Sequence, residues 1–533
     1  MTTKESLKST PKLTAPAHTS LNSKWILLGA FILALIPLLG FWAYGLFDMD
    51  EGFYASVTSA MLRRKDWLIP YYNGQPWFEK PILLYWFTTP SLAAFGGEFG
   101  LRLPSVLTTL TLSGVLYAWG KKYLSPASGL MAMLVYATSL LVVLIGRMML
   151  TDAIFVLFLS LSFLSFYSSL SGEKKLRLWS SFCLGLAVLA KGPIALIFFV
   201  LLGGLTYWRE PKLRNAFRGY WVSSALIFIG TIALWYLPAL LAQPKIFIQQ
   251  FLIEQNIQRF LGGDTVHRLP LFWLNLIFFP TILFIGMLPW SIWIFKAWPK
   301  RKLIQNEENK DLVEGFFLRF LARWFLLVLL LFSLSGSKLP HYILPAAPAL
   351  ALLIGDWLGR RRPQAFPGAI YWKRLLLPGT CSLVMFLLTY GGMAWYYGSG
   401  NSLNQEGQLR LISMRLKDQP LPVSTYQIGK RPGEEAKGKF SLLATSQPSL
   451  LFYLGKDVFE FEGFQALLHA PKPIWVITRP GRFTPDDFRE AKKFNQQLVE
   501  YPLSFWFGHS VDSPRFEVFL MSQEKIESSE SRL

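Results

Sequence analysis

Uninterrupted apolar runs recur along this chain, and they constrain its fold more than any other feature. A bilayer's hydrocarbon core takes about 20 residues of helix to cross. Apolar runs, most of them near or above that length and 178–190 shorter, fall at 25–47, 103–119, 127–146, 152–170, 178–190, 192–208, 219–241, 271–296, 316–335, 341–358 and 373–397. Hydrocarbon offers the backbone no hydrogen-bond partner, so such segments must be helical. The expectation is a polytopic α-helical membrane protein of about eleven or more transmembrane helices. Composition agrees: 16% of residues are charged, against roughly 25% in soluble domains. The break at Lys191-Gly192-Pro193 leaves open two short spans, one broken helix or a re-entrant segment.

The polar connections set the orientation. Lys121-Lys122, Glu173–Arg177, Arg209–Arg218, Lys296–Lys302 and Arg360–Arg374 are rich in lysine and arginine and share one side, which is read as cytoplasmic. Residues 1–24, polar and carrying Lys4, Lys8, Lys12 and Lys24, join them as a disordered tail. The run after Lys24 is too long for the core of a signal peptide and is expected to remain as the first span. Opposite lie loops 48–102 and 242–270 of a transmembrane region, 25–398. So does a tail, 399–533, predicted to be a small extracytoplasmic α/β domain. Its strand-like runs are Trp475–Thr478 and Phe516–Leu520, with turns at Pro480-Gly481 and Thr484–Asp487.

The net charge of +20 sits mostly in the short loops, where orientation and membrane headgroups account for it, so nucleic acid is not an expected partner. Cys183 and Cys381 lie inside apolar runs and read as small buried residues. No HExxH, CxxC, Walker A loop or GxGxxG stands in a credible context, so no nucleotide cofactor is expected.

Every polar motif with chemical character falls on the outer side. Asp48, Asp50 and Glu51 open loop 48–102 at a membrane edge, where ionisable groups are costly and mark functional candidates. Asp50 suits the cap of a helix over Gly52–Arg64, a general base, or both. That helix carries Phe53, Val57 and Met61 on one face and ends in Arg63, Arg64 and Lys65, a pattern for lying in the interface plane. Glu79-Lys80-Pro81 is either a solvated ion pair or a site where Lys80 meets a phosphate oxygen and Glu79 orients it or ligates a divalent cation. In Arg147–Asp152, Arg147 can snorkel and Asp152 can cap the next span, yet Asp152 also puts a second carboxylate on Asp50's side. Glu254–Phe260 suits an exposed amphipathic helix, with Arg259 offering a phosphate-matched fork. Gly336–Tyr342 carries Lys338, His341 and Tyr342, and a lone histidine is more often a hydrogen-bonding residue than a ligand.

With these residues laid out, the chain resembles the polytopic GT-C glycosyltransferases. The likeness is greatest to the bacterial aminoarabinose transferases that act on lipid A and to the wider group including the dolichyl-phosphate-mannose protein mannosyltransferases. It is carried by Asp50-Glu51 with Tyr54, Asp66-Trp67, Pro70, Asn73-Gly74, Phe78-Glu79-Lys80-Pro81, Tyr85-Trp86 and Arg102-Leu103-Pro104. Arg147, Asp152, Lys191-Gly192, Asn256, Arg259-Phe260, Tyr342 and Pro345 continue it in order, within residues 25–360. The resemblance implies a GT-C-like fold in a bacterial inner membrane. It implies transfer of a sugar from a polyprenyl (undecaprenyl) phosphate carrier to lipid A, another glycolipid, a polysaccharide or a protein on the outer side. It makes Asp50 the catalytic acid/base and Asp152 its second carboxylate, with Glu51 beside them. Lys80, Arg259 and Tyr342, joined by Lys338, would hold the lipid phosphate. Glu79 and His341 would ligate a divalent metal, zinc in the aminoarabinose branch.

The alternative is a lipid-linked sugar flippase or secondary transporter. Transporters place charged groups near the bilayer midplane, often in paired inverted repeats. Here the charges gather at one edge and no paired halves are visible, which favours the transferase. A non-catalytic scaffold would leave the gathered acids and bases unexplained.

Overall fold

The computed structural model describes residues 20–47, 50–211, 219–258, 272–298, 309–360, 369–398, 405–427, 448–461, 463–501 and 516–523. Helices dominate, and in chain order they begin with α1 (Ser20–Leu35), α2 (Asp50–Arg64), α3 (Leu83–Phe95) and α4 (Gly97–Tyr123). There follow α5 (Pro126–Ala137), α6 (Leu140–Gly146), α7 (Thr151–Leu170), α8 (Leu176–Lys191), α9 (Ile194–Arg209) and α10 (Trp221–Ala242). The membrane part closes with α11 (Phe272–Gly286), α12 (Asn309–Leu334), α13 (Ala347–Arg360) and α14 (Ala369–Gly398).

Among the described residues, five helical stretches are long and apolar enough to cross a membrane, or seven if each of two bent pairs forms one span. Several of the expected runs are bent or short, for local reasons. The run 127–146 is α5 and α6 bent by 62°. At the bend the hydroxyls of Thr138 and Ser139 donate to the carbonyls of Leu134 (2.6 Å) and Val135 (2.5 Å), bonds that compete with the helical ladder. The run 271–296 bends by 107° between Gly286 and Trp290, at a proline that removes a helical donor. Lys24–Leu38, Ile194–Arg209 and Leu376–Gly392 are shorter apolar helices. The Lys191-Pro193 break separates α8 from α9 at Gly192, whose φ of +113° a side chain would resist.

Helix α2 buries more than the one apolar face of its expected pattern. Glu51 through Thr58, Ala60 and Met61 are all buried, because other segments pack against it. The tail supplies one cover, through the helix Pro448–Leu454 (α15): Ser56 Oγ donates to the Pro448 carbonyl at 2.5 Å. Arg63 and Arg64 meet Asp457 at 3.3 and 3.4 Å. Beyond α2, Tyr71–Tyr72 (β1) and Gln75–Pro76 (β2) form a two-residue hairpin through Asn73 and Gly74, both at positive φ. Asn73 extends the seam, accepting from Val458 N at 2.9 Å and donating to Val458 O at 3.1 Å.

The tail contains a five-stranded mixed sheet of Val423–Tyr426 (β3), Phe459–Phe461 (β4), Ile474–Thr478 (β5), Gln497–Tyr501 (β6) and Glu517–Ser522 (β7), in the order β4-β3-β5-β7-β6. Strand β3 runs parallel to β4 and β5, and β7 runs antiparallel to β5 and β6. Strand β5 is buried along its length, as its Ile-Trp-Val-Ile run requires. Thr484–Asp487, expected as a turn, instead starts a helix, Pro485–Lys493, with a reciprocal capping box and proline in the first turn.

Candidate active site

Asp152 is the second residue of α7 and is buried. Lys191 is the last residue of α8, the helix packed beside α7, so its ammonium reaches back to the start of α7 and donates to Asp152 Oδ1. An acid in low dielectric is tolerated when a cation is placed against it. The Lys191 ammonium also stands 4.6 Å from the Tyr342 ring centre and 5.5 Å from that of Phe155. His341, in the turn Pro340–Ala346 that leads into α13, puts Nε2 3.9 Å from Asp152 Oδ2. Asp50 and Lys80 both lie within Coulombic reach of His341, and Lys80 also within that of Asp152.

Between these groups stands Tyr54, one turn into α2. Burial raises its phenol well above the ordinary range, and Asp50, Tyr85, Asp152 and Glu79 push the same way. The structure therefore gathers Asp50, Glu79, Lys80, Asp152, His341 and Tyr342 with two residues the sequence reading gave no role, Tyr54 and Lys191. The signal for Lys191 was its position: an ammonium ending an apolar run needs a counter-charge. Arg259 lies outside the described residues.

Two expected site residues have other work. Glu51 is fully buried, and both its oxygens bind Arg102 at 2.6 Å, Oε1 from Nε and Oε2 from Nη2. The same carboxylate accepts from Phe47 N at 3.0 Å and Met149 N at 2.9 Å. It thus ties the segment entering Asp50 to the one entering Asp152 and does not face the gathered groups. Arg102 completes the tie by donating to the carbonyls of Phe41, Tyr44 and Gly45 at 2.8–2.9 Å. Lys338, expected on phosphate, is buried and donates to Phe332 O (2.8 Å) and Ser333 O (2.9 Å), with the Phe279 ring centre 4.9 Å away. It closes the end of α12, where unsatisfied carbonyls attract a cation.

Glu79 and His341 supply two donors of the kind a divalent metal takes. Among the described residues they belong to no group of three or more metal-ligating side chains, whereas a structural zinc takes four. By themselves they do not complete such a site.

The arrangement combines an exposed carboxylate at Asp50, a buried carboxylate held by a lysine, and a second lysine within reach. It can hold an anionic group against ammonium donors and present a base to a hydroxyl beside it.

A family model described as dolichyl-phosphate-mannose-protein mannosyltransferase matches residues 79–237. An undecaprenyl phosphate-alpha-4-amino-4-deoxy-L-arabinose arabinosyl transferase from Pseudomonas paraeruginosa is 32% identical over 373 residues, which cover 68% of this chain and 65% of that protein, a little under two thirds of its length. A transferase of the same description from Yersinia pestis is 28% identical over 72% of this chain and 69% of its own. An uncharacterized Aquifex aeolicus protein is 32% identical over 62% of this chain and 73% of its own. The crystal structure of ArnT from Cupriavidus metallidurans bound to undecaprenyl phosphate shares the fold, with a TM-score of 0.69 and 18% identity over 93% of this chain and 98% of that one.

Proposed function

This chain belongs to the GT-C glycosyltransferase family that groups the undecaprenyl phosphate aminoarabinose transferases with the protein mannosyltransferases, and from that premise we propose that it moves a sugar from undecaprenyl phosphate to an acceptor in the bacterial envelope. The observation that carries the reading is the meeting of Asp152, Lys191 and His341, with Asp50 and Lys80 in Coulombic reach, from five separate segments of the chain.

In the proposed reaction the bond from the sugar's anomeric carbon to the carrier's phosphate oxygen breaks, and a bond from that carbon to the acceptor oxygen forms. The electron pair leaves with the polyprenyl phosphate, and its growing charge is met by Lys80 and Lys191, with Arg259 as a further cation. Asp50 takes the proton of an acceptor hydroxyl. A phosphate acceptor, such as those of lipid A, is already ionised, and Asp50 then orients the sugar. Asp152 keeps Lys191 charged and in place. Attack opposite the leaving phosphate inverts the anomeric centre.

The loop charges support an N-terminus in the cytoplasm, with the site and the C-terminal sheet on the outer side of the inner membrane, and the apolar runs support about eleven crossings. Lipid A or another envelope glycolipid, polysaccharide or protein is the proposed acceptor class. A divalent metal on Glu79 and His341 is a separate proposal, on which the reaction above does not depend. Elemental analysis of the purified protein and of Glu79→Gln tests it.

The deciding experiment supplies purified protein in nanodiscs with a panel of undecaprenyl-phosphate sugars and lipid A. Release of undecaprenyl phosphate from one donor is expected, falling at least about 100-fold in Lys80→Ala and clearly, though less if the acceptor is a lipid A phosphate, in Asp50→Asn. Unchanged turnover in both variants would remove the site assignment. Movement of a donor across liposomes without turnover would replace the transferase with a transporter.

A further inference from the structure

Arg147 takes no part in the gathered site, and it does not snorkel: it is 1% exposed. Its Nη1 donates to Thr389 Oγ1 in α14 and, at 3.4 Å, to the Pro37 carbonyl. Its Nε and Nη2 are buried and neither makes a close hydrogen bond, the Tyr44 phenol being the one polar group beside the guanidinium among the described residues. Buried polar groups are nearly always satisfied, so two orphaned donors on one cation call for an explanation. The carboxylate nearby gives no relief, because Arg102 already holds both oxygens of Glu51 at 2.6 Å. Both guanidiniums lie over the Tyr44 ring, at 4.1 and 5.7 Å from its centre. Arg102 is thus paired with a carboxylate while the buried Arg147 beside it has none among the described residues, and an uncompensated buried charge is strongly unfavourable.

The orphaned pair is chemically specific. Nε and Nη2 form the edge of a guanidinium that takes two oxygens side-on. Arg102 binds Glu51 with that same edge. Arg147 presents it toward Gly40, where φ is +72° and an added Cβ would lie 3.7 Å from Nη2 and 2.5 Å from the Tyr390 ring. Glycine is what lets guanidinium and ring converge there. Tyr390, stacked on Phe386 at 5.3 Å, is 40% exposed, and Leu39 and Trp42 beside Gly40 are exposed as well. The Tyr390 ring and the Arg147 Nη2 thus meet at Gly40, beside an exposed apolar surface.

We propose that Arg147 is the floor of a second anion site, independent of the Asp50–Asp152 cluster, which takes a phosphate group between Gly40 and α14 when the Tyr390 ring turns aside. A lipid phosphate headgroup and free phosphate share this chemistry. The apolar surroundings suit the former.

The test uses the full chain purified in a neutral detergent. Thermal unfolding is followed during titration with inorganic phosphate, with dihexanoyl phosphatidic acid, and with dihexanoyl phosphatidylcholine as the control. Wild type is expected to show a saturable rise in Tm of about 3 °C or more. The rise should persist in Lys80→Ala, which disables phosphate binding at the gathered site, and vanish in Arg147→Met. A response to phosphatidic acid alone assigns a lipid headgroup, and an equal response to inorganic phosphate assigns the free ion. No saturable rise in wild type, a rise lost in Lys80→Ala, or an equal rise in Arg147→Met overturns the proposal. If Arg147→Met does not fold, Tyr390→Ala decides: uncovering the edge should lower the half-saturating concentration several-fold, and an unchanged value overturns the site.

Discussion

Arg102 and Glu51 meet through two 2.6 Å contacts with neither side chain exposed to solvent, and through Met149 N the pair joins the approach to Asp50 with the approach to Asp152. Removing one partner leaves the other charged, buried and alone. Arg102→Met is therefore expected to destabilise the fold by about 3–5 kcal/mol. The double variant Arg102→Met with Glu51→Leu should recover part of that loss, since it removes both charges. Unfolding of the three proteins in one detergent gives the coupling. Additive losses would show that the pair is not the unit described.

Asp152 and Lys191 form the contact most directly tied to the proposed chemistry. Lys191→Met is expected to lower kcat/KM for the lipid-linked donor by about 100-fold or more, and Asp152→Asn should act through the same lysine. The combined variant should then be little worse than the weaker single one, because residues that act as a unit are not additive. Donor turnover of the four proteins measures this. Multiplied losses would separate the two roles.

What was legible in the sequence follows from contrast. Asp50, Lys80, Asp152 and His341 stand out because ionisable groups are rare in apolar surroundings, and the structure brings the other three within Coulombic reach of His341. Glu51 was misplaced because neighbours in sequence point about 100° apart on a helix: Asp50 turns outward while Glu51 enters the core. Lys338 was misplaced because a lysine serving backbone carbonyls at a helix end looks like any other lysine. The two bends within expected spans depend on hydroxyl back-bonding and a proline, which hydropathy does not register. Of the five C-terminal strands, β5 and β7 were visible as the β-rich runs Trp475–Thr478 and Phe516–Leu520. Their order β4-β3-β5-β7-β6 was not, because pairing between distant strands leaves no local trace.

The tail reaches the proposed site through Tyr453. Its hydroxyl accepts from Leu46 N at 2.9 Å and donates to Glu98 at 3.1 Å, and Arg410 meets the same glutamate at 2.9 Å. Leu46 lies four residues before Asp50, so the hydroxyl helps set where α2 begins. Tyr453→Phe strands a buried amide and is expected to cost about 1–3 kcal/mol, with kcat lowered more than donor affinity. Asp457→Asn, which loosens the partly exposed contacts to Arg63 and Arg64, should change stability by less than about 1 kcal/mol. Equal effects of the two substitutions would refute the special place given to Tyr453.

Lys338 and Lys80 separate a structural lysine from a substrate-binding one. Burial pushes the Lys338 ammonium down to about 8, against two carbonyls that favour its charged form. A folded-state value below the unfolded one means that the unfolded chain binds more protons between the two. Stability should therefore rise with pH from about 8 toward the ordinary lysine value of about 10.4, as the cost of the buried charge is relieved. Lys338→Met should flatten that rise while leaving the KM for the lipid-linked donor within about twofold of wild type. Lys80→Ala should do the opposite, raising KM with little change in the pH dependence of unfolding. Unfolding midpoints at pH 7.5 to 10.5, set beside donor kinetics for both variants, check the division. A large rise in KM for Lys338→Met would return that lysine to the phosphate site.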